Sequence, residues 1–221
     1  QGVKYFYITA DYTWGRTTEE SIRTFSLTTD GRRHKRHYVP FPGATYKNLS
    51  NALSWAGAVH PDVLVLVLFG KDMSRALNIL QERGMKKKFK AIVVPNLTLG
   101  MAIEAGAEAM EGVIGALPWA WNVPYRYNYP KGKEFVEKFS ELYNTYPSSS
   151  AASAYTILYQ YKDAVERAGT FDSKKVINAL EGHTFISLKD EQTWRAFDHQ
   201  AVQTVYTVRC KPAEEVYQDK F

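Results

Sequence analysis

Three short stretches concentrate side chains suited to gripping a small molecule: Asp11-Tyr12-Thr13-Trp14-Gly15, Phe69 to Asp72, and Pro95 to Thr98. Each follows a strand-like run and leads into a helix-like one. A further stretch, Trp119-Ala120-Trp121, adds two indoles. Together they set Tyr12, Trp14, Phe69, Trp119 and Trp121 beside Asp11, Asp72 and Asn96. Apolar walls with a few oriented polar groups are the usual lining of a small-molecule pocket. Any one of these rings is equally an ordinary filler of loops and core, so the grouping carries the expectation and its members do not.

Catalytic constellations are poor. No HExxH, no GxSxG and no Cys/His grouping with metal spacing is present, and Gly43-Ala44-Thr45 is not a phosphate loop. The histidines are His34, His37, His60, His183 and His199, and none falls in the three strand-end stretches. Asp198-His199 can be drawn as an acid–base pair, but a turn is the plainer role for that polar sequence. Ser148-Ser149-Ser150 after Pro147 reads as a helix N-cap rather than a nucleophile. Cys210 beside Lys211 could be an activated thiol, with nothing else in support. As the single cysteine it cannot form an intrachain disulfide. Asn48-Leu49-Ser50 and Asn96-Leu97-Thr98 match glycosylation sequons, a pattern short enough to arise by chance. The expectation is no enzyme, no cofactor and no metal.

The elements that must position these residues alternate. Val3 to Ala10 is strand-like. A helix is expected next, with Thr17 and Glu20 as a capping box, Ile22, Phe25 and Ser26 on one face, and Asp30-Gly31 as its end. His37 to Phe41 reads as the second strand and 47–58 as the second helix. Asp62 to Phe69 (DVLVLVLF) is continuously apolar, as a central parallel strand covered on both faces must be. A helix over 72–83, a strand over 90–94, one Ala-rich helix over 98–110 and a strand over 113–117 follow. This alternation predicts βαβ units in a doubly wound α/β parallel sheet.

After Pro118 the rhythm changes. Pro118, Pro124 and Pro130 punctuate an aromatic crossing. Helices then come without strands between them, over 131–143, 150–168 and 173–180. Their apolar faces are read as Phe135, Phe139, Leu142 and Ala151, Tyr155, Leu158, Val165. The tail returns to β-like sequence over 193–197 and 201–209. The expected organisation is an α/β lobe over 1–118, a crossover over 119–130, helices of a second body over 131–190, and a β segment over 191–221 that returns to the first lobe.

The 221 residues are 45% hydrophobic and 23% charged, an ordinary globular composition. No apolar run approaches the ~20 residues of a membrane span, so no direct membrane insertion is expected. The net charge of +5 comes from two clusters. One is Arg32, Arg33, Lys35 and Arg36; the other is Lys86, Lys87, Lys88 and Lys90. Both read as solvated loops, and nucleic acid is not expected as a partner.

The order of segments resembles Leu/Ile/Val-type periplasmic solute-binding proteins. Lys4 to Gly15 (KYFYITADYTWG) is similar to the strand and Asp-x-x-Tyr-Gly turn that open that family's second lobe. Pro42-Gly43-Ala44-Thr45 followed by His60-Pro61-Asp62-Val63-Leu64-Val65 resembles its "PGATD…PDVV" stretch. Gly84-Met85-Lys86 resembles "GLK", and Glu111-Gly112-Val113 resembles "EGV". Lys133-Glu134-Phe135, Tyr146-Pro147, Tyr155 and 175–182 (KVINALEG) resemble its late helices. Arg195 to Gln200 with Val205-Tyr206 resembles its closing β segment. The motifs are individually weak; their order and spacing carry the match, from about Val3 to Arg209.

The resemblance implies a type I periplasmic binding fold: two α/β lobes hinged by three crossovers and closing on a solute. It implies an exported component of an ABC importer, periplasmic or extracellular. The partners would be a membrane permease and a small-molecule ligand, an apolar amino acid, an amide or an aromatic acid. A sensor of the same fold, controlling a cytoplasmic regulator, is the alternative. Carried over by position, Trp14, Phe69 and Asn96 would line the ligand site, with Ser149 and Ser150 approaching from the other lobe; Tyr12, Asp72 and Trp119 join them from the strand-end stretches and the crossing read above. Asn96 stands where amino-acid binders place a carboxylate for the ligand ammonium, and an amide offers no charge-assisted bond there. The family's first-lobe βα units are not matched, so the chain is expected to be a second lobe with pieces of the first.

Overall fold

The computed structural model describes residues 2–219; residues 1, 220 and 221, at the ends of the expected 1–118 and 191–221 segments, lie outside them. The chain divides into two compact units. One runs to Ala116 and resumes at Thr207, and the other runs from Leu117 to Tyr206.

The first unit is a doubly wound sheet, the class its alternating sequence predicts. In chain order it holds β1 (Tyr5–Ala10), α1 (Thr13–Phe25), β2 (Lys35–Val39), α2 (Tyr46–Val59), β3 (Val63–Val67), α3 (Lys71–Glu82), a 3-10 turn at Lys86–Lys88, β4 (Ala91–Val94), α4 (Leu99–Ala105), α5 (Ala107–Met110) and β5 (Ile114–Leu117). The sheet is completed by the last strand of the chain, β9 (Tyr206–Arg209), in the order β2-β1-β3-β4-β5-β9. β1 pairs in parallel with both β2 and β3, and β3–β4–β5 continue in parallel. All five strands therefore end on one edge and begin on the opposite one. From Leu64 in β3 to Leu68 just after it the chain is buried without interruption, which is what a strand covered on both faces requires.

Several boundaries differ from the sequence expectation, each for a local reason. α1 begins at Thr13, not Thr17. Thr17 sits inside the helix, where its hydroxyl donates to the Thr13 carbonyl, so there is no capping box there. The box occurs one helix later: Thr45 accepts from the Asn48 amide while the Asn48 side chain accepts from Thr45 N. α1 ends at Phe25, before Asp30-Gly31, and Phe25 is 89% exposed. The expected 98–110 helix is broken at Gly106, whose φ of +88° only glycine adopts readily.

The second unit contains α6 (Val123–Tyr127), α7 (Pro130–Tyr143), α8 (Ser149–Ala168), α9 (Ser173–Leu180) and a three-stranded antiparallel sheet. That sheet is β6 (Thr184–Ile186), β7 (Glu191–Trp194) and β8 (Ala201–Val202). Its core joins Trp119, Val136, Ala152 and Leu188. Leu142 and Leu158, read from the sequence as inward, are largely exposed.

Candidate functional site

The carboxyl ends of the parallel strands carry a continuous aromatic row. Tyr12 leaves β1 as the N-cap of α1, Trp14 lies in the first turn, Phe41 follows β2 and Phe69 follows β3. Tyr12 stacks on Phe41 with centroids 3.9 Å apart and planes 13° from parallel. Trp14 lies 5.9 Å from Tyr12 and meets Phe69 edge-on at 6.1 Å. Phe41 and Phe69 remain about two-fifths exposed, at 39% and 43%, so the row offers ring surface to a ligand.

Gly15 makes this placement possible. A Cβ there would collide with the Ala10 carbonyl oxygen at the end of β1, so only glycine lets α1 start directly over the strand end and turn Trp14 toward Phe69. At the next switch Gly70 takes a φ of +57° as the N-cap of α3.

The carboxylates near the row are already engaged. Asp11 pairs with Arg16, with Arg16 Nη2 at 2.6 Å, a contact that also raises the Arg16 pKa. Asp72 is buried; it accepts weakly from Ala44 N at 3.4 Å, while Arg75 donates to Ala44 O at 2.7 Å. Asp72 and Arg75 thus clamp the 42–45 loop rather than facing outward. Asn96 is half-buried between β4 and α4, and no described residue hydrogen-bonds its amide. Thr98 caps α4 by accepting from Met101 N.

The remaining expected residues fall in the second unit. Trp119 is 3% exposed in its core, edge-on to Phe135 at 5.8 Å. Ser149, buried, and Ser150, exposed, form the first turn of α8, whose cap is Ser148 accepting from Ala151 N. The structure therefore brings together Tyr12, Trp14 and Phe69, with Asp72 in the first turn of α3 and Asn96 on the loop after β4. Phe41 was missed because the sequence places it inside a strand. The Phe-Pro-Gly stop after it was the available signal.

The catalytic alternatives do not assemble. Asp198 is held bidentately by Arg195, at 2.7 and 2.6 Å, and His199 turns to Glu181 at 2.9 Å in a left-handed turn conformation, φ +59°. Burial pushes the Cys210 thiol up to about 11, the reverse of activation. Among the described residues no group of three or more His, Cys, Asp or Glu could hold a metal, and no helix is long and apolar enough to cross a membrane.

A parallel sheet with aromatic loops at its carboxyl edge and helices between its strands defines the class, a doubly wound α/β lobe. The profile of the periplasmic binding proteins matches residues 1–215, and the chain belongs to that family, with the type I fold. An amino acid ABC transporter substrate-binding protein from Pseudomonas fluorescens Pf-5 superposes with a TM-score of 0.84 at 26% identity, over 100% of this chain and 57% of that one. A leucine-binding protein from Thermotoga maritima MSB8 gives 0.73 at 22%, over 95% and 58%. An ABC transporter solute-binding protein from R. palustris in complex with benzoate gives 0.74 at 17%, over 95% and 56%. The chain thus spans little more than half the length of these relatives. No sequence among curated proteins matches it.

Proposed function

We propose that this chain supplies one binding face of an exported solute-binding protein that serves an ABC importer and its membrane permease. The carrying observation is the Phe41–Tyr12–Trp14–Phe69 row at the carboxyl edge of the parallel sheet. The solute is a small organic molecule, an apolar amino acid or an aromatic acid of the kind its relatives' names describe, or an amide. Ring surface desolvates its apolar body, and the Asn96 amide supplies an oriented hydrogen bond.

In this reading the opposing face comes from the rest of the two-lobed fold, which the 221 residues do not span, and α7 to α9 belong to that other lobe. The exposed apolar side chains Leu142, Ile157, Leu158 and Phe171 support this. A covering lobe would take such side chains out of water.

Calorimetric titration of the complete polypeptide against amino acids, amides and aromatic acids tests the reading. One compound should bind, and Trp14→Ala should weaken it about thirtyfold, as loss of a central aromatic contact does. A panel without a binder, or a Trp14→Ala variant that binds as before, sinks it.

A further inference from the structure

The two basic clusters are far apart in sequence and meet in the fold. One straddles the start of β2, with Lys35 and Arg36 as that strand's first residues, and the other lies immediately before β4. Because β2, β1, β3 and β4 are parallel neighbours, both clusters fall on the amino edge of the sheet. Three strand spacings of ~4.8 Å put them ~14 Å apart across it.

Contacts stitch this edge together. His34 Nδ1 accepts from Tyr5 N at 3.2 Å, and Asp62 accepts from Lys4 N at 2.8 Å and pairs with Lys90 at 2.7 Å. Lys86 is spent on the Glu108 and Glu111 carbonyls, but Arg32, Arg33, Lys87 and Lys88 are exposed. Among the described residues, Asp30 and Asp62 oppose them across the β2-to-β4 stretch, with Glu19 3.7 Å from Arg36 and Glu82 at the end of α3. The other carboxylates of this edge, Glu108 and Glu111 with Glu214 and Glu215 of α10 (Ala213–Tyr217), lie at its β5 end.

A second, independent feature sits on the same edge. α1 runs back from the carboxyl edge, so its last residue arrives here. Phe25 is 89% exposed, and Leu27, in a left-handed conformation at φ +56°, is 87% exposed. Arg23 fixes their position by donating to both Thr28 O and His34 O, at 2.8 and 3.1 Å, which ties the Leu27–Thr28 turn to the first basic cluster. Two apolar knobs beside a row of cations match an interface of phosphate headgroups over acyl chains.

We infer that the amino edge of the first unit docks peripherally on an anionic phospholipid surface, with the 32–36 and 86–90 clusters on the headgroups and Phe25 and Leu27 at the acyl boundary. The aromatic row lies at the opposite ends of the same strands and stays free in this orientation.

Vesicle co-sedimentation of the full chain tests this, comparing phosphatidylglycerol–phosphatidylcholine vesicles with pure phosphatidylcholine. Binding should need the anionic lipid and weaken as salt is raised. The double variants Arg32→Glu/Arg33→Glu and Lys87→Glu/Lys88→Glu should each weaken it at least about tenfold. Phe25→Ser/Leu27→Ser should lower it while keeping its salt dependence. These are surface positions, and circular dichroism confirms that each variant is folded. Equal binding to the uncharged vesicles, or binding that survives both charge reversals, would assign the contact elsewhere and overturn the inference. So would capture of an acidic polynucleotide without capture of anionic vesicles.

Discussion

Glu19 and Arg23, one turn apart on the buried side of α1, form an ion pair with Nε 2.5 Å from Oε1. Glu19 also accepts from the Thr9 hydroxyl at 2.6 Å, and the Arg23 guanidinium lies 4.1 Å over the Tyr7 ring. A helix that packs through a carboxylate and a guanidinium tolerates this only because every charge has partners.

Breaking the pair should therefore be costly. Arg23→Met leaves Glu19 buried with the Thr9 hydroxyl and, as its one remaining cation, Arg36 at 3.7 Å, and about 3 kcal/mol of stability should be lost. Urea titration of the variant measures it. Replacing both residues by apolar ones of similar volume should cost much less, since no charge is then stranded.

Gly15→Ala should destabilise the first unit by about 1–3 kcal/mol, the usual cost of overpacking. The added methyl meets a backbone carbonyl, which cannot rotate away. The displaced start of α1 should also change the Trp14–Phe69 contact, visible as a shift in tryptophan emission that a Gly100→Ala control, with open space around it, does not show.

Stability should fall as pH drops from about 8 to about 5. His34 is buried, and burial first, then Arg33 and Arg23, lower its pKa below the ordinary 6.5. A histidine whose folded pKa is depressed binds its proton more readily when unfolded. The neutral form's advantage is therefore intact above 6.5 and is lost as pH falls through that value toward the folded pKa. Urea midpoints across this range should flatten in His34→Asn, which keeps a side-chain acceptor for Tyr5 N.

In the second unit Lys189 is buried, and its ammonium donates to Pro118 O at 2.7 Å and Thr204 O at 2.6 Å, joining segments remote in sequence. Lys189→Met should cost about 2 kcal/mol, because two charge-assisted hydrogen bonds to backbone carbonyls are lost. The loss should appear in the emission of Trp119 and Trp194, which line the same cavity of about 120 Å³ as Lys189.

The sequence by itself determined the α/β class and the central place of β3, because hydrophobic periodicity is a local property and an uninterrupted run such as VLVLV has few other uses. The aromatic strand-end residues were legible for the same reason: a strand followed by a turn and a helix puts the turn at a sheet's carboxyl edge. Tertiary structure alone decided what those residues touch. Asp72 looked free in sequence and is spent on a loop, Trp119 became core, and Phe41 joined the row by stacking across from another strand. The inner face of α1 is the sharpest case. Sequence reading put Phe25 inward, but β1 presents Tyr7 and Thr9 to that helix, and those partners make Glu19 and Arg23 the better fit. The meeting of the two basic clusters was likewise illegible, since the pairing order of parallel strands sets it and no local window contains that order.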